Sequence, residues 1–359
     1  MPRSRPSPLD KTGIVQIAAS LGVSPSTVSR ALRPETAHLV RADRRKQIMD
    51  LAEQTQFSPN PGARMLRRGV NATLTVVVPL DENIFFSEYY GRFLAGTLHA
   101  AAARGWGVHI STLRRSKDQS LREAIQQLSL DSSGLIYLAE PLSSRELAEL
   151  RGFRRPLVLT KSTLPGGVDV RDLGLPVVGV DNLGGARSVA SLLVQLGHTR
   201  IGLLLGPEGS RDAQERKQGY LEVLQKAGVE PRPEWVFSGP FSAETGRAGI
   251  ARLLQSADRP TALCCANDEI AFGAVQAAHL AGLRCPDHLS VVGFDDGLWA
   301  TACQPALTTI RQPLADLAER AVGLLVEAAA SPTSARRQPL DDMPAPMMIR
   351  ESTRPLRSA

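Results

Sequence analysis

Apolar residues recur along this chain in two rhythms. Near the start, Ile14, Ile17, Ala18 and Leu21 fall at helical spacing, and Gly22 ends the run and permits a tight turn. Ser24 and Pro25 read as the N-cap and first residue of a second short helix. That helix turns Val28, Ala31 and Leu32 inward and leaves Pro25, Ser26, Ser29 and Arg30 outward. VRADRRKQIMDLAEQTQF predicts a third helix with Ile48, Leu51 and Ala52 on its inner face. From Leu74 the rhythm changes. Short apolar runs predict strands over Leu74–Val78, Val108–Ser111, Gly134–Leu138, Leu157–Thr160, Val177–Val180, Ile201–Leu205, Ala262–Ala266 and Ser290–Phe294. Helical stretches such as EYYGRFLAGTLHAAAARG and GGARSVASLLVQLGH separate them. Such alternation predicts parallel sheets covered on both faces. About ten strands exceed the usual single sheet, so two sheets and a cleft are expected. Ligands in such sheets bind at the carboxyl ends of strands.

Two helices joined by a turn of about four residues containing Gly form a helix-turn-helix, whose second helix lies in the DNA major groove. That chemistry explains the outward polar face: Arg30 can pair bidentately with guanine, and Ser26 can meet a base or phosphate. The alternative is a solvated face on a small bundle. Arg41, Arg44, Arg45 and Lys46 crowd the first turns of the third helix, where cations oppose the macrodipole and phosphates would neutralise them. The following SPNPGARMLRRG reads as a linker in which ARMLRR could form a short helix on docking. Its exposed Leu66 would then suit insertion between base steps in the minor groove.

Charge sharpens this division. Residues 1–70 hold 12 Lys/Arg and 5 Asp/Glu, a net of +7; the remainder of the 42 and 36 is 30 and 31, a net of −1. A basic module on a near-neutral body points to a polyanion partner. No basic helix carries the broad aromatic face that membrane insertion needs, and no apolar run reaches the span of a bilayer. The basic, proline-rich start lacks an apolar segment behind it, so a secretory signal is not expected. Cys264, Cys265, Cys285 and Cys303 form no C-x-x-C pair, and the six His make no pair at metal spacing. A reduced, cytoplasmic chain without metal or cofactor is expected. Nucleotide-binding glycine motifs and a G-x-S-x-G elbow are absent, so nothing asks for catalysis.

Polar residues at strand ends are the candidate ligand contacts. Asn267 and Asp268 follow one strand, Asp295 and Asp296 another, and Asp212 and Arg216 lie after Leu205. Asp268 is expected to cap the helix EIAFGAVQAA. Phe85 and Phe86 follow the first strand.

IVQIAASLGVSPSTVSRAL followed by SPNPGARMLRRG resembles the headpiece and hinge of the LacI/GalR family of bacterial transcription regulators. GHTRIG at Gly197–Gly202, NDEIA at Asn267–Ala271, VVGFDD at Val291–Asp296 and LTTIRQ at Leu307–Gln312 extend the likeness through the body, to about Thr353. The resemblance implies a disordered arm over 1–11, an all-α helix-turn-helix headpiece over 12–58 and a hinge helix over 59–70. It also implies a periplasmic-binding-protein-like effector and dimerisation core over 71–359, with two α/β subdomains and three crossovers.

By the same resemblance, Pro25, Ser26, Ser29 and Arg30 read bases, His38 and Arg41 touch DNA beyond the recognition helix, and Ala63, Leu66 and Arg67 enter the minor groove. Effector contacts would be Phe85, Phe86, Thr160, Asp212, Arg216, Phe241, Asn267, Asp295 and Gln312. Several positions depart from the family pattern: Gly13 and Gln16 at the first helix, a longer RPETAHLV loop, Thr160 in place of an acidic contact and Gly179 in place of an aromatic. A capping role for Thr12 would offset the first of these.

The implied protein is a homodimeric repressor, of carbohydrate-utilisation genes, on a near-palindromic double-stranded operator. A small molecule, a sugar in the first instance, controls it. A purine- or nucleoside-responsive regulator is the nearest alternative, and a ligand-binding protein without DNA function the more distant one.

Overall fold

The computed structural model describes residues 13–330 and 341–356, apart from 33–35, 56, 58–71, 81–83, 85–86, 114–118, 129–131, 140, 151–152, 154, 166–167, 169–172 and 257. Residues 1–71 and 72–359 form separate compact units.

In the first unit, α1 (Ile14–Leu21) ends at Gly22, whose φ of 62° turns the chain into α2 (Pro25–Ala31). The Ser24 hydroxyl accepts from the Thr27 N–H at 3.1 Å, and Pro25 takes the first helical position. The α1 N-cap is Gly13. Gln16 offsets the missing side-chain cap, its Oε1 accepting from the Gly13 N–H at 3.2 Å. Thr12 lies outside the described residues. After a 3-10 turn at Ala37–Leu39, α3 (Ala42–Gln54) closes the bundle. Ile17, Val28 and Ile48 are fully buried at its centre, with Ala18, Ala31 and Ala52 around them. Leu32 and Leu51 are half-buried.

The second unit holds two parallel sheets. The six-stranded one has the order β11-β5-β4-β3-β1-β2. It is built from β1 (Thr73–Val78), β2 (Gly107–Thr112), β3 (Gly134–Tyr137), β4 (Leu157–Thr160), β5 (Val177–Val180) and β11 (Asp341–Met343). One face is covered by α4 (Glu88–Ala103) and α12 (Leu314–Ala330), through Phe93, Leu94, Leu317 and Val322. The other is covered by α5 (Leu121–Leu128) and α6 (Ser144–Leu150), through Leu121, Ile125, Leu147 and Leu150.

The four-stranded sheet, β7-β6-β8-β9, comprises β6 (Ile201–Leu205), β7 (Val236–Ser238), β8 (Ala262–Cys265) and β9 (Ser290–Val292). Helices α7 (Asn182–Gln195) and α8 (Arg211–Lys226) pack Val189, Leu193, Tyr220 and Leu224 on one face. Helices α9 (Ala243–Leu253) and α10 (Asp268–Leu280) pack Ile250, Ile270 and Val275 on the other. Burying each such aliphatic side chain contributes roughly 1.5–3 kcal/mol. A short helix α11 (Leu298–Ala302) follows β9. The antiparallel pair β10 (Thr309–Ile310) and β12 (Met347–Met348) lies beside the second sheet. The chain passes between the sheets three times: from β5 to α7, from β10 to α12, and from β11 to β12.

All eight strands expected from the apolar runs are present, within a residue or two at their ends. The sequence reading omitted β7, β10, β11 and β12, each two or three residues long. Cys264 and Cys265 are buried in β8 as small apolar side chains, and all four cysteines are free. Among the described residues no helix is long and apolar enough to cross a membrane.

Candidate functional site

A cavity of about 260 Å³ opens where the strand ends of both sheets meet. The second sheet supplies Ser210, Asp212 and Arg216 after β6, Phe241 after β7, Asn267 after β8, and Asp295 after β9. Gln312 follows β10. From the first half come Ser87 to Tyr90 at the head of α4 and Ser162 after β4. Strand carboxyl ends converge here because every βα turn of a parallel sheet emerges on the same edge.

Arg216 is the fixed point of the wall. It is 3% exposed, donates from Nε to Asn182 Oδ1 at 2.8 Å and from Nη1 to the Ala266 carbonyl at 2.5 Å. Its guanidinium lies 3.9 Å from the Phe294 ring centroid and 5.8 Å from that of Phe241. Asp295 Oδ1 is 3.8 Å from Nη1 and accepts from Gln312 Nε2 at 2.5 Å. Asn182 turns its amide to Asp212 Oδ1 at 3.0 Å. Burial pushes the Asp295 carboxyl up to about 6 against the pull of Arg216, and raises Asp212 in the same way.

The backbone is strained at this point: Asp295 has φ 142° and Asp296 φ 54°. Its anchors are visible. The Asp295 N–H donates to Ile310 O at 2.8 Å, and the Arg92 guanidinium donates to the carbonyls of Asp295 and Asp296 at 3.2 and 3.3 Å. Asp296 pairs with Arg311 at 2.6 Å and with Arg350. Burial works against its charge, but the two guanidinium groups hold it below the usual carboxylate range.

Several contacts join the two halves across the cleft. Both Glu88 oxygens accept from the Leu298 N–H, at 2.7 and 2.8 Å. Arg211 donates to Pro165 O at 3.1 Å. Lys161, 6% exposed, pairs with Asp342 at 2.8 Å and lies 2.9 Å from Glu215 Oε2, an ion contact without hydrogen-bond geometry. Burial opposes its charge, yet Asp342 and Glu215 hold the Lys161 pKa above the ordinary value. Gly179 is required beside them: a Cβ there would sit 2.6 Å from Asp342 Oδ1 and 2.7 Å from the Lys161 stem. Packing thus accounts for a glycine at position 179.

Of the effector contacts named from the sequence, Asp212, Arg216, Phe241, Asn267, Asp295 and Gln312 line the cavity together. Phe85 and Phe86 lie outside the described residues. Thr160 is not in the wall; its hydroxyl turns to the Tyr137 carbonyl at 3.1 Å, and Ser162, two residues on, faces the cavity. The expected cap of α10 needs correction. Asn267, extended at φ −152°, caps the helix by accepting from the Ile270 N–H at 2.9 Å. Asp268 is instead 1% exposed, taking the Thr309 hydroxyl at 2.5 Å and the Gly297 N–H at 3.2 Å. Only the Asn267 amide is left for a ligand. Sequence reasoning missed Glu88, Tyr89, Ser162, Glu269 and Trp299 in the wall. Trp299 follows the same strand end as Asp295, the one signal that could have found it.

In the helical unit, Pro25, Ser26, Arg30, His38 and Arg41 are exposed and Ser29 is half-buried. The Ser26 hydroxyl is hydrogen-bonded to the Ser24 hydroxyl at 2.7 Å, and Arg41 contacts Asp43 at 3.3 Å on open surface. Ala63, Leu66 and Arg67 lie outside the described residues. Among the described residues no group of three or more His, Cys, Asp or Glu could hold a metal ion.

Comparison with known proteins agrees with this fold. A model of the periplasmic binding protein-like domain matches residues 190–353. The HTH-type transcriptional repressor CytR of Escherichia coli K12 is 31% identical over 312 residues, covering 87% of this chain and 88% of CytR. The HTH-type transcriptional repressor PurR of Mannheimia succiniciproducens is 31% identical over 349 residues, 95% of this chain and 98% of that protein. Among solved structures, the Lac repressor dimer bound to operator and the anti-inducer ONPF superposes with a TM-score of 0.80 at 25% identity, over 96% of this chain and all of that one. The complex of the transcriptional regulator CelR with cellobiose gives 0.69 at 26% identity, over 95% and 100%.

Proposed function

The chain belongs to the LacI/GalR family of transcriptional regulators, and from that premise we propose that it is a homodimeric repressor whose hold on an operator is set by a small molecule in the cavity. The observation that carries this is a single chain that joins a basic three-helix module to a two-sheet core with a polar, aromatic-walled cavity. Pro25, Ser26, Ser29 and Arg30 lie on or open the exposed face of α2 and are the proposed readers of base edges. His38 and Arg41 would meet phosphates, and Ala63, Leu66 and Arg67 would enter the central minor groove. The protein works where its DNA is, in the cytoplasm, as a regulator and not as an enzyme.

The cavity is the proposed effector site. Asp212, Asp295 and Gln312 offer hydrogen bonds to hydroxyls, and Phe241 offers a ring face. A sugar is the first expectation and a nucleoside the second. Because both halves contribute to the wall, a ligand that fits adds to the contacts already made by Glu88, Arg92, Arg211 and Lys161. It shifts the open–closed balance only by its difference in affinity for the two states. The second copy has a face to meet: edge strand β2 with exposed Ile110, and α4 with exposed Leu98.

Salt-titrated binding of the full chain to DNA fragments from its own genome tests the reading. A specific fragment should be retained with an affinity that falls steeply as salt rises. Arg30→Ala should weaken that fragment by about 1–3 kcal/mol relative to unrelated DNA. Equal retention of all fragments by both proteins would overturn the proposal.

A further inference from the structure

Charge in the cavity wall narrows what can bind there. Among the described lining residues Glu88, Asp212, Glu269 and Asp295 are four carboxylates, and Arg216 is the one cation. Its Nε and Nη1 are engaged within the protein, by Asn182 and the Ala266 carbonyl, and its guanidinium lies over the Phe294 ring. The neighbouring cations are spent too: Arg92 on three carbonyls, Arg211 on Glu215 and Pro165 O, and Lys161 on Asp342 and Glu215. A phosphate or carboxylate entering the cavity would thus meet acceptors and like charge, and among the described residues no guanidinium offers it a wholly unengaged fork.

We infer that the effector is an uncharged, hydroxyl-bearing ring compound that donates hydrogen bonds, and that the wall rejects its phosphorylated and carboxylated derivatives. The inference rests on the reading of this cavity as the effector site. Donors suit it on every side. Asp212 has one oxygen on the Asn182 amide and Asp295 one on Gln312, so each keeps acceptor capacity for a hydroxyl. Glu269 lies half-buried at the wall, taking the Ala243 N–H at 3.4 Å. Burial pushes Asp212, Glu269 and Asp295 up, for Asp212 and Asp295 against the pull of Arg216. Phe241 and Trp299 supply apolar ring faces against which a sugar or base can stack.

Matched probes test this on the full chain by thermal shift and calorimetry. The first series is glucose, galactose and ribose, each against its phosphate and its acid. The second is adenosine, cytidine, guanosine and uridine, each against its 5′-monophosphate. In every series that binds, the neutral member should bind at least tenfold tighter than its anionic partners. Glu269→Gln, which removes one charge from the wall, should narrow that ratio threefold or more. An anionic member binding as tightly as its neutral partner would overturn the inference, as would a ratio left unchanged by both Glu269→Gln and Asp212→Asn. Failure of the underlying reading looks different: a neutral probe would then bind Phe241→Ala and Arg216→Lys as tightly as the unaltered protein, because its site lies elsewhere.

Discussion

The Glu88 carboxylate, from the first α/β half, accepts the backbone N–H of Leu298, from the second, with both oxygens, at 2.7 and 2.8 Å. Gly297 makes the approach possible, since a Cβ on it would lie 2.1 Å from the carboxylate. Gly297→Ala should therefore expel Glu88 and weaken closure by about 1.5–3 kcal/mol, the usual worth of a hydrogen bond to a charged group. Small-angle scattering of the ligand-free protein should show a more open core. Adding Gly297→Ala to Glu88→Ala should cost little more than either alone, and full additivity would show that the two residues act independently.

Buried carboxyls give the core an acid-favouring stability. Burial, with the nearby Asp295, pushes Asp268 up to about 7 and burial pushes Asp295 up to about 6, both above an ordinary 3.8. Folding then takes up protons between roughly pH 4 and 7, so stability from these groups is present at the acid end and lost as pH rises through that window. Asp268→Asn mimics the protonated acid: its carbonyl can take the Gly297 N–H and its amide can face Thr309. Thermal melts from pH 5 to 8 should show a falling midpoint in the parent chain and a flatter profile in the variant, and identical slopes would refute the assignment.

Ser24 sets the start of α2, and with it the angle at which Arg30 is presented. Ser24→Ala should cost the helical unit about 1 kcal/mol. Amide exchange at Thr27 and Val28 should quicken accordingly, and unchanged exchange would show that Pro25 alone holds the helix start.

Arg216 is buried against Asn182, the Ala266 carbonyl, Asp295 and the Phe241 and Phe294 rings, so Arg216→Lys keeps the charge but loses the geometry. Lysine cannot reach Asn182 and the Ala266 carbonyl together while lying on the Phe294 ring. The core should lose about 1.5–3 kcal/mol in denaturant melts, the worth of a hydrogen bond from a charged group, and retention of parental stability would mean that the guanidinium network contributes nothing net.

Long apolar runs were legible because strands buried on both faces admit few polar residues: LTVVV and LVLT can be read without a fold in hand. The strands that escaped notice are held by context. DDM forms β11 because Asp342 sits beside Gly179 and Lys161 receives its carboxylate, contacts between residues far apart in sequence. The same reason divides the site. Asp212, Arg216 and Asp295 could be located at strand ends and by family likeness. Glu88 enters the wall only when the two halves are brought face to face. Asp268 shows the limit of local reasoning: a capping position was visible, but which of two neighbouring residues turns outward was settled by Thr309 and Gly297.

The claim that matters most is that the cavity controls the grip on DNA. The direct measurement is fluorescence anisotropy of a labelled operator duplex titrated with the full chain, with and without a neutral ligand identified by thermal shift. The account predicts that the ligand changes operator affinity by fivefold or more, the usual range of an allosteric coupling of about 1–3 kcal/mol, and that Phe241→Ala abolishes the change while still binding the duplex. An operator affinity indifferent to a ligand that demonstrably fills the cavity would contradict it.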